Sequence, residues 1–185
     1  MVFHGSPNQG LDMIKRRSST LFSQEMVFAS RDFFIASLFL QKTGGDFVCS
    51  IVKKASEIFL IERIKDGLYH RYNSFPASIY VLPEGSFYSK PNLWQEELVS
   101  DSDVRPLTEI KISNTIDYIL QLSVLNHITF IKYQERGGYV EHEDADLVRL
   151  CNLYGQSEVI APEMLQFMQT YQPEVLERSV LQKIV

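Results

Sequence analysis

Three short stretches carry residue types that suit chemistry. The first is His4-Gly5-Ser6, directly after the apolar pair Val2-Phe3. A strand ending this way offers an imidazole, a bare peptide unit and a hydroxyl within a few ångströms. The glycine lets another group come close to the backbone. Such a set suits a flat ligand with an amide and a neighbouring sugar hydroxyl. One histidine near a strand end is ordinarily structural, so the tripeptide gains meaning only from its companions.

The second stretch is Phe28-Ala29-Ser30, at a strand end, with Phe39 eleven residues further on. Both rings can face one cleft, and two rings can sandwich a flat heterocycle. Core packing is the plainer use for each of them. The third is Gln95-Glu96-Glu97-Leu98-Val99, an acidic pair opening a strand that turns and returns through Asp101-Ser102-Asp103. Adjacent strand residues point to opposite faces, so only one of Glu96 and Glu97 can enter a given cleft. Taken alone, both are ordinary solvated carboxylates.

The elements that must position these residues are mostly short strands. Val2 to His4, Met26 to Ala29, Phe47 to Val52, Glu57 to Arg63, Ser78 to Leu82, Glu97 to Val99 and Leu107 to Ile112 are β-type runs bounded by turn residues. One helix interrupts them. Ser30 is the expected N-cap, Asp32 sits in the first turn, and Phe33 to Gln41 follows. After Asn114 the pattern turns helical. Ile116, Ile119, Leu120 and Val124 keep a 3.6-residue rhythm. A second helix spans Asp144 to Leu153 and ends at Gly155, and Pro162 and Pro173 open two more. The helical tail is expected to pack on the β-rich part, with a separable subdomain as the alternative.

Composition narrows the function. The chain has 185 residues and 45% hydrophobic content, which suits one core without a staple. The net charge of −5 lies wholly in the tail: residues 1–112 carry 13 basic and 13 acidic groups, and residues 113–185 carry 5 and 10. Nucleic acid is therefore not an expected partner. Lys15-Arg16-Arg17, the one basic run, reads as a solvated loop. Cys49 and Cys151 stand alone and read as reduced, buried thiols of a cytoplasmic protein, without a metal site. No secretory leader and no membrane span is expected. His70, in Leu68-Tyr69-His70-Arg71-Tyr72, reads as a strand-edge residue; His127 and His142 lie in the helical tail, His142 in a solvated helix-start turn.

In this order and spacing, the three stretches resemble the ADP-ribosyltransferase superfamily, in its diphtheria-toxin and poly(ADP-ribose) polymerase branch with a His-Tyr-Glu triad. The resemblance rests on His4-Gly5-Ser6, Phe28-Ala29-Ser30, Phe39 and Glu97-Leu98-Val99, with Gly10-Leu11 and Val104-Arg105-Pro106-Leu107 as lesser elements. It covers about residues 1–112. It implies an α+β fold: two packed, mostly antiparallel sheets with one main helix form an NAD-binding domain over 1–112, with a helical, acidic extension over 113–185. It implies NAD as co-substrate and transfer of ADP-ribose to a macromolecular acceptor such as a protein. Gly5 would pair with the nicotinamide carboxamide, and His4 would bond a ribose hydroxyl. Ser6 and Ser30 would line the dinucleotide site, and Phe28 and Phe39 would bracket the nicotinamide. Glu97 would bind the nicotinamide-ribose 2′-hydroxyl and stabilise an oxocarbenium-like transition state.

The chain departs from the family in two ways. Both expected tyrosines are phenylalanines, so stacking survives while two hydroxyls are lost. There is no Glu-x-Glu; Gln95 stands two before Glu97, where it would orient an acceptor if it shared that face. The alternatives are a catalytically weak or inactive module that binds NAD or ADP-ribose, an interaction protein whose tail fills the cleft, and an RNA 2′-phosphotransferase.

Overall fold

In the computed structural model, residues 1–19, 22–41, 45–91, 93–155 and 162–183 are described. They form a mixed α+β protein with small, mostly antiparallel sheets and several helices. Three sheets of three strands replace the expected two. The first orders β1 (Val2–Ser6), β6 (Ala77–Leu82) and β8 (Thr108–Ile112), all antiparallel. The second orders β2 (Arg17–Ser19), β3 (Phe22–Ala29) and β7 (Leu98–Ser100), also antiparallel. The third holds the hairpin of β4 (Cys49–Lys54) and β5 (Glu57–Glu62), with β9 (Thr129–Ile131) parallel to β5.

The central strands read as unbroken apolar runs because both their faces are covered. On β5, Ile58 and Leu60 join the largest core, and Phe59 and Ile61 pack on the opposite side with Ile131. Every residue of β6 is buried, with Tyr80 and Leu82 beside Val2, and Ala77 and Ile79 beside Leu40 and Ile112.

The first two sheets are stapled together where the candidate residues lie. The Phe3 N–H donates to the Ser30 carbonyl at 2.7 Å, and the Ser30 N–H returns a bond to the Phe3 carbonyl at 2.9 Å. Ser30 is therefore not the helix cap. Asp32 is, accepting from the backbone N–H groups of Phe34 and Ile35. The helix α1 is also shorter than expected, Phe33–Ser37, and Leu38 closes it. Phe39 stands just past the helix rather than on it.

Two elements differ from their expected type. Phe47 belongs to a helical turn, α2 (Gly45–Val48), and its strand begins only at Cys49. The His70 stretch is a helix, α3 (Gly67–Tyr72), where a strand edge is expected. This helix inserts Arg71 into the core. Its guanidinium, 1% exposed, donates to the carbonyls of Gly45, Cys49 and Leu38. The Tyr72 hydroxyl donates to the same Leu38 carbonyl. Together they hold the chain end that carries Phe39.

The tail begins with α4 (Thr115–Val124), capped by Asn114. It then supplies β9 to the third sheet, so it is not purely helical. Ile116, Ile119, Leu122 and Ile128 are buried in one cluster with Ile35, Leu38 and Leu60. Next come α5 (Ala145–Gly155), α6 (Pro162–Tyr171) and α7 (Pro173–Glu177), whose cluster includes Phe47. Buried Arg63 ties this part down, donating to Ser50, Asp144 and Asp146. Among the described residues, no helix is long and apolar enough to cross a membrane.

Candidate active site

A cavity of about 370 Å³ lies where the first two sheets meet. His4, Gly5, Ser6, Phe28, Ser30, Phe39 and Glu97 all line it. That volume falls within the roughly 300–1,000 Å³ of ordinary ligand sites.

His4 is held from behind. Its Nδ1 donates to the Phe28 carbonyl at 2.7 Å, which fixes the tautomer and leaves Nε2 as the acceptor. Burial lowers its pKa, the bond to Phe28 opposes that, and the Arg17 charge lowers it further. A neutral imidazole with one bare nitrogen suits a hydroxyl that donates to it.

Gly5 follows from packing. A Cβ there would lie 2.2 Å from the Ala36 carbonyl oxygen. The group that comes close to this glycine is the chain's own helix α1. Among the described residues, the Gly5 backbone makes no hydrogen bond outside the β1 ladder. Phe3 turns its N–H and C=O away from β6, toward Ser30. Strand groups alternate with a period of two, so the Gly5 N–H and C=O face the same way, along the open edge of β1. That edge lines the cavity.

Ser6 and Ser30 are each 2% exposed. Each hydroxyl oxygen accepts a local backbone N–H, from Asn8 and Asp32 respectively. They brace the two strand exits and keep their hydroxyl protons for donation.

The acidic pair divides, although β7 begins only at Leu98 and neither carboxylate stands on a strand. Glu96 turns away from the cavity and bonds the Lys53 ammonium at 2.9 Å. Lys53 also reaches Asp32 at 3.0 Å, so a half-buried triad ties β4 to the cap of α1. Glu97 turns into the cavity. Its carboxyl is pushed up to about 7, first by burial and then by the Asp46 charge, against a lowering contact from the Trp94 backbone. It sits one residue before β7, in a turn closed by its N–H on the Trp94 carbonyl. Gln95 is exposed in that turn and does not line the cavity, so it does not share the Glu97 face.

Among the other residues that line the cavity, two bring polar side chains that the sequence did not mark as site residues. Arg17 stands on β2 rather than in a solvated loop, and its exposed guanidinium reaches the rim. Gln41 lines the cavity as well, and its side-chain oxygen accepts from Arg71. The alternation of strand faces is the one signal that could have marked Arg17, had β2 been recognised.

The remaining candidates lie elsewhere. Gly10 and Leu11 bind back to sheet one through Glu109 and the Tyr80 hydroxyl. Val104 bridges to Ile14, and the Leu107 N–H donates to the Val81 carbonyl. His70 packs on Tyr171, His127 stacks on Phe34, and His142 is exposed beside Glu143. Cys49 and Cys151 are free and buried, with burial pushing their thiols up to about 12 and about 11. Among the described residues, no His, Cys, Asp and Glu group is arranged to hold a metal ion.

Compared with known protein families, with curated proteins and with solved structures, the chain matches none.

Proposed function

We propose that this protein binds NAD in the cavity between its first two sheets and transfers ADP-ribose to an acceptor. One observation carries the reading. Seven residues spread over positions 4 to 97 line a single cavity, and their side chains and backbone match the chemistry of one ligand. The Gly5 peptide edge would pair with the carboxamide, donor to oxygen and carbonyl to amide nitrogen. Phe28 and Phe39 would hold the nicotinamide ring between them. His4 Nε2 would accept from a ribose hydroxyl.

Glu97 is then the catalytic residue. As the bond from the ribose to nicotinamide stretches, positive charge grows at the anomeric carbon. A carboxylate fixed beside that charge lowers the barrier, and partial burial strengthens the effect. Arg17 at the rim offers a cation to the pyrophosphate.

The same site supports a second reading, a module that binds NAD or ADP-ribose without turnover. Phenylalanine at both bracketing positions favours it, because both rings lack a hydroxyl to orient the ligand. Nicotinamide release measured for wild type and for Glu97→Gln separates the two. Turnover that Glu97→Gln abolishes supports the enzyme. Thermal stabilisation by NAD with no release in either protein supports the module. No stabilisation by NAD or ADP-ribose, and no release, rejects both.

A further inference from the structure

A second cavity, about 410 Å³, shares Phe39 and Glu97 with the first. The same carboxylate therefore lines two spaces. The added walls come from α2, β4, the turn before β7, and α5 of the tail. Ile51, Trp94, Leu147 and Leu150 make them largely apolar. The charged groups that line it, besides Glu97, are Asp46 and Asp146. No Lys, Arg or His lines it among the described residues. Arg63 lies behind the wall, with its guanidinium committed to Ser50, Asp144 and Asp146.

On the NAD reading above, a nucleophile must reach the anomeric carbon beside Glu97 from a side that nicotinamide does not fill. The second cavity gives such an approach. Its charge selects among nucleophiles. Burial raises the Asp46 carboxyl, and the Arg71 and Arg63 charges oppose that; above about pH 7, where Glu97 is ionised as well, a carboxylate or a phosphate would meet like charges here. An alkyl chain with a cationic head suits the walls better. The stem would lie along Ile51, Leu147 and Leu150, with the head near Asp46 and the Trp94 indole, since aromatic faces attract cations.

We propose that this second cavity is the acceptor site, and that the acceptor is a basic side chain, arginine or lysine, of a protein. The bond from C1′ of the ribose to nicotinamide breaks, and its electron pair leaves with neutral nicotinamide. The acceptor nitrogen first gives a proton to the Glu97 carboxylate, which passes it to water. The electron pair this frees on the nitrogen forms the new C1′–N bond. NAD and the acceptor thus yield nicotinamide, the ADP-ribosylated side chain and a proton. Helix α5 supplies Leu147 and Leu150, so the tail is part of acceptor recognition.

The test uses the full chain with NAD labelled in its adenylate. The acceptors are the methyl esters of Nα-acetyl-arginine and Nα-acetyl-lysine, the Nα-acetyl-glutamate methyl ester, and a short RNA. Nicotinamide release and labelled acceptor are measured in the same tube. A basic ester should capture label more than roughly tenfold better than the glutamate ester or the RNA, given like-charge repulsion of those two. Leu150→Trp, which fills the cavity, should lower capture per nicotinamide released. Asp46→Asn should do the same and serves alone if Leu150→Trp misfolds, as judged by circular dichroism. Release into water with no basic capture, or equal capture by glutamate or RNA, overturns the acceptor assignment and leaves the NAD reading standing. Capture that neither substitution lowers also overturns it. No nicotinamide release with any acceptor overturns both.

Discussion

The carbonyl oxygen of Ala36 occupies the space a side chain on Gly5 would need, 2.2 Å from where its Cβ would lie. Helix α1 thus packs its last turn on the β1 backbone, and Phe39 leaves that turn toward the cavity. Gly5→Ala should push α1 off the strand. Overpacking of this kind costs about 1–3 kcal/mol. At this chain length that is a fall in melting temperature of roughly 2–4 °C per kcal/mol. Thermal unfolding followed by circular dichroism checks it, and an unchanged transition refutes the close packing.

Glu97 should set the pH dependence of any turnover. Its carboxyl is raised to about 7, and the ionised form is the one that stabilises positive charge. Nicotinamide release should therefore fall as pH drops through about 7, and it should level off above. Stability runs the other way. The folded state holds this proton more tightly than the unfolded chain, so stability declines as pH rises from the ordinary carboxylate range to about 7. Glu97→Gln removes that cost. The variant should be more stable than wild type at pH 8, by on the order of 2 kcal/mol, and no more stable at pH 4. Chemical denaturation at the two pH values gives the comparison.

Restoring the missing hydroxyls should strengthen ligand binding. Phe28→Tyr or Phe39→Tyr adds one hydrogen-bonding group beside the ring site. A satisfied bond contributes about 0.5–1.5 kcal/mol, or a roughly two- to tenfold gain in NAD affinity per ring. Calorimetric titration with NAD measures it. Weaker binding by both variants would mean that the rings do not bracket the ligand.

The strands were legible where apolar alternation or apolar runs were long, as in Glu57–Glu62 and Ala77–Leu82. The cap of α1 was not, because Ser30 and Asp32 are both good caps by type. Only the staple between Phe3 and Ser30, a contact distant in sequence, shows that Ser30 stays in the sheet. The α3 stretch Leu68-Tyr69-His70-Arg71-Tyr72 is rich in aromatics and so looked like strand. As a helix it places Arg71 in the core, where the guanidinium meets the carbonyls of Gly45, Cys49 and Leu38, contacts distant in sequence. The cavity's seven residues were named from the order and spacing of three motifs, and they stand on β1, on and just after β3, just past α1 and just before β7. The second cavity could not be named in this way, since it needs α5 to fold back from the tail.

Arg17 should contribute to binding through charge alone. Its guanidinium is exposed on the cavity rim, so its effect should be screened by salt. Arg17→Ala should weaken NAD at low ionic strength by roughly tenfold, as expected for a charge-assisted contact. The difference should shrink in 0.5 M salt, about five times the ionic strength at which screening already acts over 10 Å. Nicotinamide alone, which carries no phosphate, should bind both proteins equally. An equal loss for nicotinamide and NAD would show that Arg17 acts by shaping the cavity through His4 instead.

Glu96 and Glu97 are neighbours with opposite tasks, and substitution should separate them. Glu96 holds Lys53, which also holds the α1 cap Asp32. Glu96→Gln keeps the size and a hydrogen-bonding oxygen but removes one charge from a half-buried triad. The loss should be small, about 0.2–1 kcal/mol. Lys53→Met goes further, because it leaves two carboxylates together without their cation. It should cost more than Glu96→Gln. Denaturant midpoints of the two variants at pH 7 give the comparison. Glu96→Gln should keep NAD binding and turnover within a few-fold of wild type, whereas Glu97→Gln should lose turnover by more than roughly a hundredfold, as removal of one transition-state charge contact does. Equal losses for the two would mean that the carboxylate facing the cavity has no special part in the chemistry.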